Sequence, residues 1–321
     1  MSVVICFKLS KQNDIQKDDF MKKKDNKQTH TLKVKFNDRI LWGKYLATLG
    51  VVSSIVTLVS FFATAQNIGI PSGYLLSIFC AIIIGIFSYM WWKANQVNQA
   101  NLKINNTRVC VTEGDIWELM KKDPKDRTGE LSVIAVNDFF DTIVNDRIVA
   151  AKSLHGQYIN KIINEGKLGE LDSIIESDDI LNMASNRKDV PQRKVGRKVR
   201  YSIGSMVEFE SYILAAFTKF DEHNKAYLSA EEYTGFWMKF WENIDEIYAG
   251  RTLNIPLIGA GITRFRNGKP SKQELLEIML WTLKISGFHN TYADRRINFI
   301  IYPPDAEEID FYHIQHNRNF R

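Results

Sequence analysis

From Tyr45 to Trp92 the chain runs for 48 consecutive residues without a single Asp, Glu, Lys, Arg or His. A soluble core rarely needs so long an uncharged stretch, whereas two bilayer crossings do. Gln66-Asn67-Ile68-Gly69-Ile70-Pro71-Ser72-Gly73 interrupts it with Asn, Gly and Pro and reads as a turn. The flanking runs, about 45–65 and 74–92, would each be roughly 30 Å long as helices, the thickness of a hydrocarbon core. In lipid every backbone N–H and C=O must be satisfied within the segment, which a helix achieves and an isolated strand does not. The pattern predicts a two-helix transmembrane hairpin over 41–92. Two helices buried in a soluble core are the alternative, and a signal peptide is disfavoured by the position of the run.

The flanks predict orientation. Lys33, Lys35, Arg39 and Lys44 precede the first run, and Lys93, Lys103 and Arg108 follow the second. Basic residues stay on the cytoplasmic side, so a multi-pass chain would keep both termini in the cytoplasm. Residues 1–40 read as a basic cytoplasmic segment, with Met1 and Met21 as alternative starts. Trp42, Tyr45, Tyr74, Tyr89, Trp91 and Trp92 lie where aromatic rings prefer the interface. Gly43 and Ala47, Gly50 and Ser54, and Ala81 and Gly85 repeat at a four-residue spacing. That spacing suits close packing, either of the two helices on each other or of hairpins from several chains.

Outside this block the chain is ordinary and polar. A net charge of +5 does not imply nucleic acid. Cys6, Cys80 and Cys110 are too scattered for a disulfide framework. The six histidines have no metal-ligand spacing, and no His-Glu-x-x-His, Gly-x-Ser-x-Gly or P-loop occurs. Asp221–Glu232 mimics a calcium loop, but Lys225 and Ala226 replace a ligand and the required Gly. Arg187–Arg200 holds seven basic residues and reads as a solvated loop, with lipid headgroups ahead of nucleic acid as a partner.

Residues 93–106 read as a linker and 107–321 as one α/β domain. Strand-like runs are Arg108–Thr112, Leu131–Val136, Lys198–Ile203, Phe209–Phe220, Leu253–Ile258 and Ile297–Tyr302. Glu231–Tyr248 has helical periodicity, and Ser271 with Glu274 forms a capping box for a helix to about Ile285. Three loops each follow a strand: Glu113–Ile116, Asn137–Thr142 and Gly259–Arg264. Ligands of open α/β sheets bind beyond the carboxyl ends of strands. Glycines that expose backbone N–H groups, together with Arg264, suit an anion.

Gly114-Asp115-Ile116, Val136-Asn137 and Pro256-Leu257-Ile258-Gly259-Ala260-Gly261-Ile262, in that order, resemble a macro domain over about 106–302. Phe140-Asp141-Thr142, Ser153-Leu154-His155-Gly156 and the hairpin make the chain similar to the membrane-anchored macro-domain effectors of type II Thoeris antiphage defence. The resemblance implies a macro-like mixed sheet flanked by helices, a ligand and no resident cofactor. The ligand would be an ADP-ribose derivative made from NAD, an amino-acid conjugate among the forms, supplied by a partner TIR-domain enzyme. It implies a homo-oligomer that disrupts the membrane, with no nucleic acid, metal or catalytic residue. Asp115 and the Ile116 backbone would bind adenine, on which Tyr302 would stack; a helix cap and a core aromatic are the plainer roles. Gly259, Ala260, Gly261, Ile262, Thr263 and Arg264 would cradle the diphosphate. Asn137, Asp141, Thr142, Ser153, His155 and Gly156 would face the distal ribose. A membrane-tethered hydrolase or reader of ADP-ribosylated targets is the alternative, leaning on Asn137 and Asp141.

Overall fold

The apolar block forms two 24-residue helices, α1 (Arg39–Phe62) and α2 (Ser72–Asn95), in a computed structural model that describes residues 33–62, 71–120, 129–221, 227–266, 268–288 and 296–320. Most of the predicted turn, the N-terminal segment up to residue 32, Met21 and the core of the calcium-like loop lie outside the described residues. Pro71 caps α2, so Ser72 and Gly73 belong to the helix rather than the turn. Both helices are long and apolar enough to cross a membrane, and only 11% and 6% of their most apolar windows are buried. Helices of a soluble core would be mostly buried.

The helices meet around Leu41, Tyr45, Phe87 and Ala94, where Tyr45 donates from its hydroxyl to the Ile83 carbonyl at 3.2 Å. Phe36, Trp42 and Phe87 pack edge-on or tilted around this base, and Trp91 Nε1 donates to the Val34 carbonyl at 2.9 Å. Gly43, Gly50 and Gly85 have nothing within 4 Å of where a Cβ would stand. The small-residue spacing is therefore not what joins the two helices to each other. Ser54 and Thr57 return their hydroxyls to the Gly50 and Ser53 carbonyls.

The remaining chain builds a sheet from β1 (Gln99–Ile104), β2 (Thr107–Glu113), β3 (Glu130–Asn137), β6 (Met206–Phe209), β7 (Tyr212–Thr218), β9 (Thr252–Pro256) and β11 (Arg296–Ile301). Two small pairs stand apart: β4 (Arg187–Asp189) with β5 (Val199–Tyr201), and β8 (Tyr227–Leu228) with β10 (Arg264–Phe265). The large sheet has the order β1-β2-β11-β9-β3-β7-β6, with its five central strands parallel and both edges antiparallel. Strands that alternate in side-chain direction feed two cores. Ile213, Ala215 and Phe217 of β7 pack toward α6 (Ala230–Tyr248) and α7 (Lys272–Ile285). Tyr212, Leu214 and Ala216 pack toward α4 (Leu154–Asn164) and α5 (Leu168–Ser177). Capping boxes start both α6, at Ser229 and Glu232, and α7, at Ser271 and Glu274.

Two sequence expectations change. The linker contains β1, whose buried Ala100, Leu102 and Ile104 alternate with exposed Gln99, Asn101 and Lys103. Phe209–Phe220 is not one strand but the second half of a hairpin, β6 to β7, turning at Glu210 with a φ of 55°. Beyond β11 come α8 (Pro303–Ala306) and α9 (Phe311–His316). Phe311 and Ile314 of α9 enter the sheet core, while Tyr312 joins the base of the helical hairpin. The Lys44 ammonium sits 5.0 Å over the Tyr312 ring, and His313 Nδ1 lies 3.7 Å from Asp38 Oδ2.

Candidate functional site

The parallel strands β2, β11, β9 and β3 are neighbours, so their carboxyl ends fall on one edge of the sheet, spread over roughly 15 Å. The three loops singled out from the sequence, and Tyr302, emerge there together.

At the β2–β11 corner, Gly114 N–H donates to the Ile301 carbonyl at 2.8 Å and ties the two exits together. Asp115 Oδ1 accepts from Trp117 N–H at 2.8 Å, so one carboxylate oxygen caps the short helix α3 (Ile116–Met120). Oδ2 has no hydrogen-bond partner among the described residues. Ile116 is buried in the core beneath. Tyr302 is 48% exposed and not a core aromatic. Its carbonyl caps α8 by accepting from Asp305 and Ala306.

After β9, Gly259 adopts a φ of +91°, and an added Cβ would stand 3.1 Å from the Tyr233 ring. Only glycine fits that approach comfortably. The buried Tyr233 hydroxyl donates to the Ile258 carbonyl at 2.9 Å and holds the loop from below. Gly261 and Ile262 stand exposed at the tip, and Thr263 is half-buried. Arg264, also exposed, starts β10, which pairs with β8. Lys269 reaches back across the loop and donates to the Ala260 carbonyl and, at 2.8 Å, to the Gly261 carbonyl.

The β3 exit is built differently. Asn137 Oδ1 accepts from the main chain of Phe139 and Asp141, and its amide donates to Asp141 Oδ2 at 3.0 Å. Asp141 is fully buried and receives a bidentate pair from Arg193 at 2.9 and 2.8 Å, plus Arg197 N–H at 2.8 Å. The Arg193 guanidinium stacks 3.7 Å from the Phe139 ring. Thr142 donates to Asp172 of α5. Ser153 caps α4 by accepting from Gly156 N–H at 3.0 Å, and a Cβ on Gly156 would stand 2.2 Å from the Ala150 carbonyl. His155 is 7% exposed; its ring bonds to the Asp141 main chain, and Nε2 has no hydrogen-bond partner among the described residues. Asn137, Asp141 and Thr142 thus spend their polar atoms fastening this loop rather than presenting them outward.

This also corrects the reading of 187–200 as a solvated loop. Arg193 is buried on Asp141, Arg197 pairs with Asp172 and Glu176, and Arg200 faces Asp138. Arg200 Nε lies 3.1 Å from Asp138 Oδ2 without a hydrogen-bond alignment, so that contact is Coulombic. Lys194 and Lys198 remain exposed. The arginines are where sequence reading fell short. The basic run was visible, but its acidic partners Asp138, Asp141 and Asp172 lie far away in sequence.

Burial pushes the Asp138 carboxyl up to about 6, with Arg200 opposing. The folded state therefore holds this proton more tightly than the unfolded state, and stability from Asp138 rises as pH falls from about 6 towards 4. His155 runs the other way: burial pushes it down to about 4. Its stabilising contribution is complete above the ordinary value near 6.5 and is lost as pH falls through 4. The two largely cancel in the wild type. In Asp138→Asn, stability relative to wild type should fall by about 2 kcal/mol between pH 6.5 and 4. Urea midpoints measured across that range check this; parallel profiles for the two proteins would refute it.

A hollow of about 250 Å³ lies elsewhere, along α6, with Lys219 and Glu232 in its lining. None of the candidate residues lines it.

Comparison with known proteins gives three findings. Residues 109–302 match the family described as Thoeris protein ThsA, Macro domain. Thoeris protein ThsA of Bacillus amyloliquefaciens (strain Y2) is 31% identical over 268 residues, which is 83% of this chain and 87% of that protein. A solved Oceanobacillus iheyensis macrodomain mutant aligns with a TM-score of 0.42 at 13% identity, covering 68% of this chain and 96% of that one.

Proposed function

The chain belongs to the Thoeris ThsA macro-domain family, and from that premise we propose that it is a membrane-anchored sensor–effector of antiphage defence. An ADP-ribose-derived signal, made from NAD by a partner TIR-domain enzyme, binds at the carboxyl ends of β2, β11 and β9. Its adenine lies between Asp115 and Tyr302, and its diphosphate lies over Gly259–Arg264. Asn137, Asp141, Thr142, Ser153, His155 and Gly156 shape the distal wall from behind. The helical hairpin crosses the inner membrane with both termini cytoplasmic, and ligand-driven association of hairpins breaches it.

One observation carries this reading: the candidate site and the hairpin base are joined by very short connections. Glu113 N–H, next to Gly114, donates to the carbonyl of Asn98, which lies one residue before β1 begins and three after α2 ends. Strand β11 leads through Tyr302 and α8 to α9, which docks on α1. Association of hairpins is supported by Gly43 and Gly50, which face open space on α1. Binding rather than hydrolysis is supported by the burial of Asn137 and Asp141, the residues on which a hydrolase reading leans.

The test is calorimetric titration of the full chain in detergent with ADP-ribose, NAD and ADP-ribose conjugates, repeated with Asp115→Ser. Serine still caps α3 but removes the carboxylate. Micromolar or tighter binding, weakened at least 10-fold by the substitution, is expected. Absence of binding to every one of these compounds overturns the reading, and steady turnover of a conjugate would favour the hydrolase.

A further inference from the structure

We propose that Lys269 is a diphosphate-binding cation of this site: it rests on the carbonyls of the glycine loop and exchanges them for ligand phosphate oxygens when the signal binds. The inference rests on the ligand assignment above and adds a residue outside the Gly259–Arg264 stretch.

Three observations place it there. First, the Lys269 ammonium has only neutral partners, the Ala260 and Gly261 carbonyls, and no carboxylate pairs with it among the described residues. The nearby acids are committed elsewhere: Asp305 and Glu308 both pair with Lys272, at 2.9 and 2.7 Å. Second, the surroundings favour an incoming anion. Lys269 lies two residues before Ser271, the cap of the 14-residue α7, so it stands at that helix's positive end. Burial and the charge of Lys272 push its ammonium below the usual lysine range, with Asp305 and Glu308 opposing. Third, the backbone presents it firmly. Gly268 has a φ of +91°, a conformation that other residues rarely take, and Pro270 restricts the backbone of the lysine before it.

A carbonyl is a weaker acceptor for an ammonium than a phosphate oxygen, because the ionised pair forms shorter and stronger bonds. The resting contacts hold Lys269 beside the loop tip at little cost to the exchange. Since Lys272 bridges the same corner to α8, just after Tyr302, movement of Lys269 would be felt where β11 leaves the site.

The experiment titrates the full chain in detergent with ADP-ribose, adenosine and inorganic pyrophosphate, comparing wild type, Lys269→Gln and Lys269→Arg. Glutamine can still donate to the loop carbonyls but carries no charge; arginine keeps the charge. Lys269→Gln should weaken ADP-ribose and pyrophosphate binding about 10- to 100-fold, leave adenosine within about 2-fold, and be largely rescued by arginine. Unchanged ADP-ribose affinity in Lys269→Gln overturns the proposal while leaving the ligand assignment intact. An equal loss for adenosine also overturns it, because the lysine would then only fasten the loop. If wild type binds neither ADP-ribose nor pyrophosphate, ligand assignment and inference fall together. Pyrophosphate binding that depends on Lys269 would preserve the inference even if ADP-ribose does not bind.

Discussion

Arg193→Met should destabilise the soluble domain by about 3–5 kcal/mol, the range seen when one partner of a buried ion pair is removed. Asp141 is fully buried, and the Arg193 side chain is only 8% exposed. In the variant, Asp141 would keep only Asn137 and Arg197 N–H as the donors seen here, and it would lose its counter-charge. Methionine fills much of the arginine's volume and preserves contact with Phe139, so the loss reads the charge rather than a cavity. Against a total stability of about 5–15 kcal/mol this is a large fraction. Thermal unfolding should show a midpoint lower by about 10 °C, at roughly 2–4 °C per kcal/mol for a domain of this size. Lys198→Ala on the same basic segment, exposed, should change stability by less than about 0.5 kcal/mol. Arg193→Lys should fall between them, because lysine keeps the charge and loses the bidentate fork. A loss below about 1 kcal/mol in Arg193→Met would mean that the pair does not hold the β3 loop.

The fate of that pair shows what the sequence could and could not reveal. The exits of β2, β3 and β9 were legible because each follows a short apolar run and begins with Gly, Asn or Asp. Parallel pairing alone then brings them to one edge. The hairpin was legible from charge alone. Arg193 and Asp141 were not, since 52 residues separate them and nothing local marks either as buried. Strand β1 was hidden because its outward face carries Gln99, Asn101 and Lys103, so its composition reads as linker although its apolar residues alternate. The turn at Glu210 lacks the usual Asn-Gly signal, so two strands ran together in the reading. Tyr302 was ambiguous from sequence, and its exposure decides against a core role.

The largest functional effect is expected at the joint between α9 and the hairpin. A ligand can drive assembly only if it binds the assembled state more tightly, and the difference must pass through contacts that distinguish the two states. The described contacts between α9 and α1 include Tyr312 under Lys44 and His313 beside Asp38. Tyr312→Ala should therefore leave signal affinity in detergent within about 3-fold while lowering liposome leakage at least 10-fold. Truncating a buried tyrosine also leaves a cavity worth about 3–5 kcal/mol, so lost leakage alone could reflect a loosened domain. Asp38→Asn with Lys44→Gln separates the two explanations. Asparagine can still cap α1, where Asp38 Oδ1 now accepts from Leu41 N–H at 2.7 Å, and neither change opens a cavity in the sheet core. If both variants bind the signal normally and neither permeabilises vesicles, α9 transmits occupancy to the hairpin. If the double variant leaks like wild type while Tyr312→Ala does not, packing alone matters at this joint. If both leak normally, the signal must travel through β1 and the Glu113–Asn98 bond, where the site edge meets the end of α2.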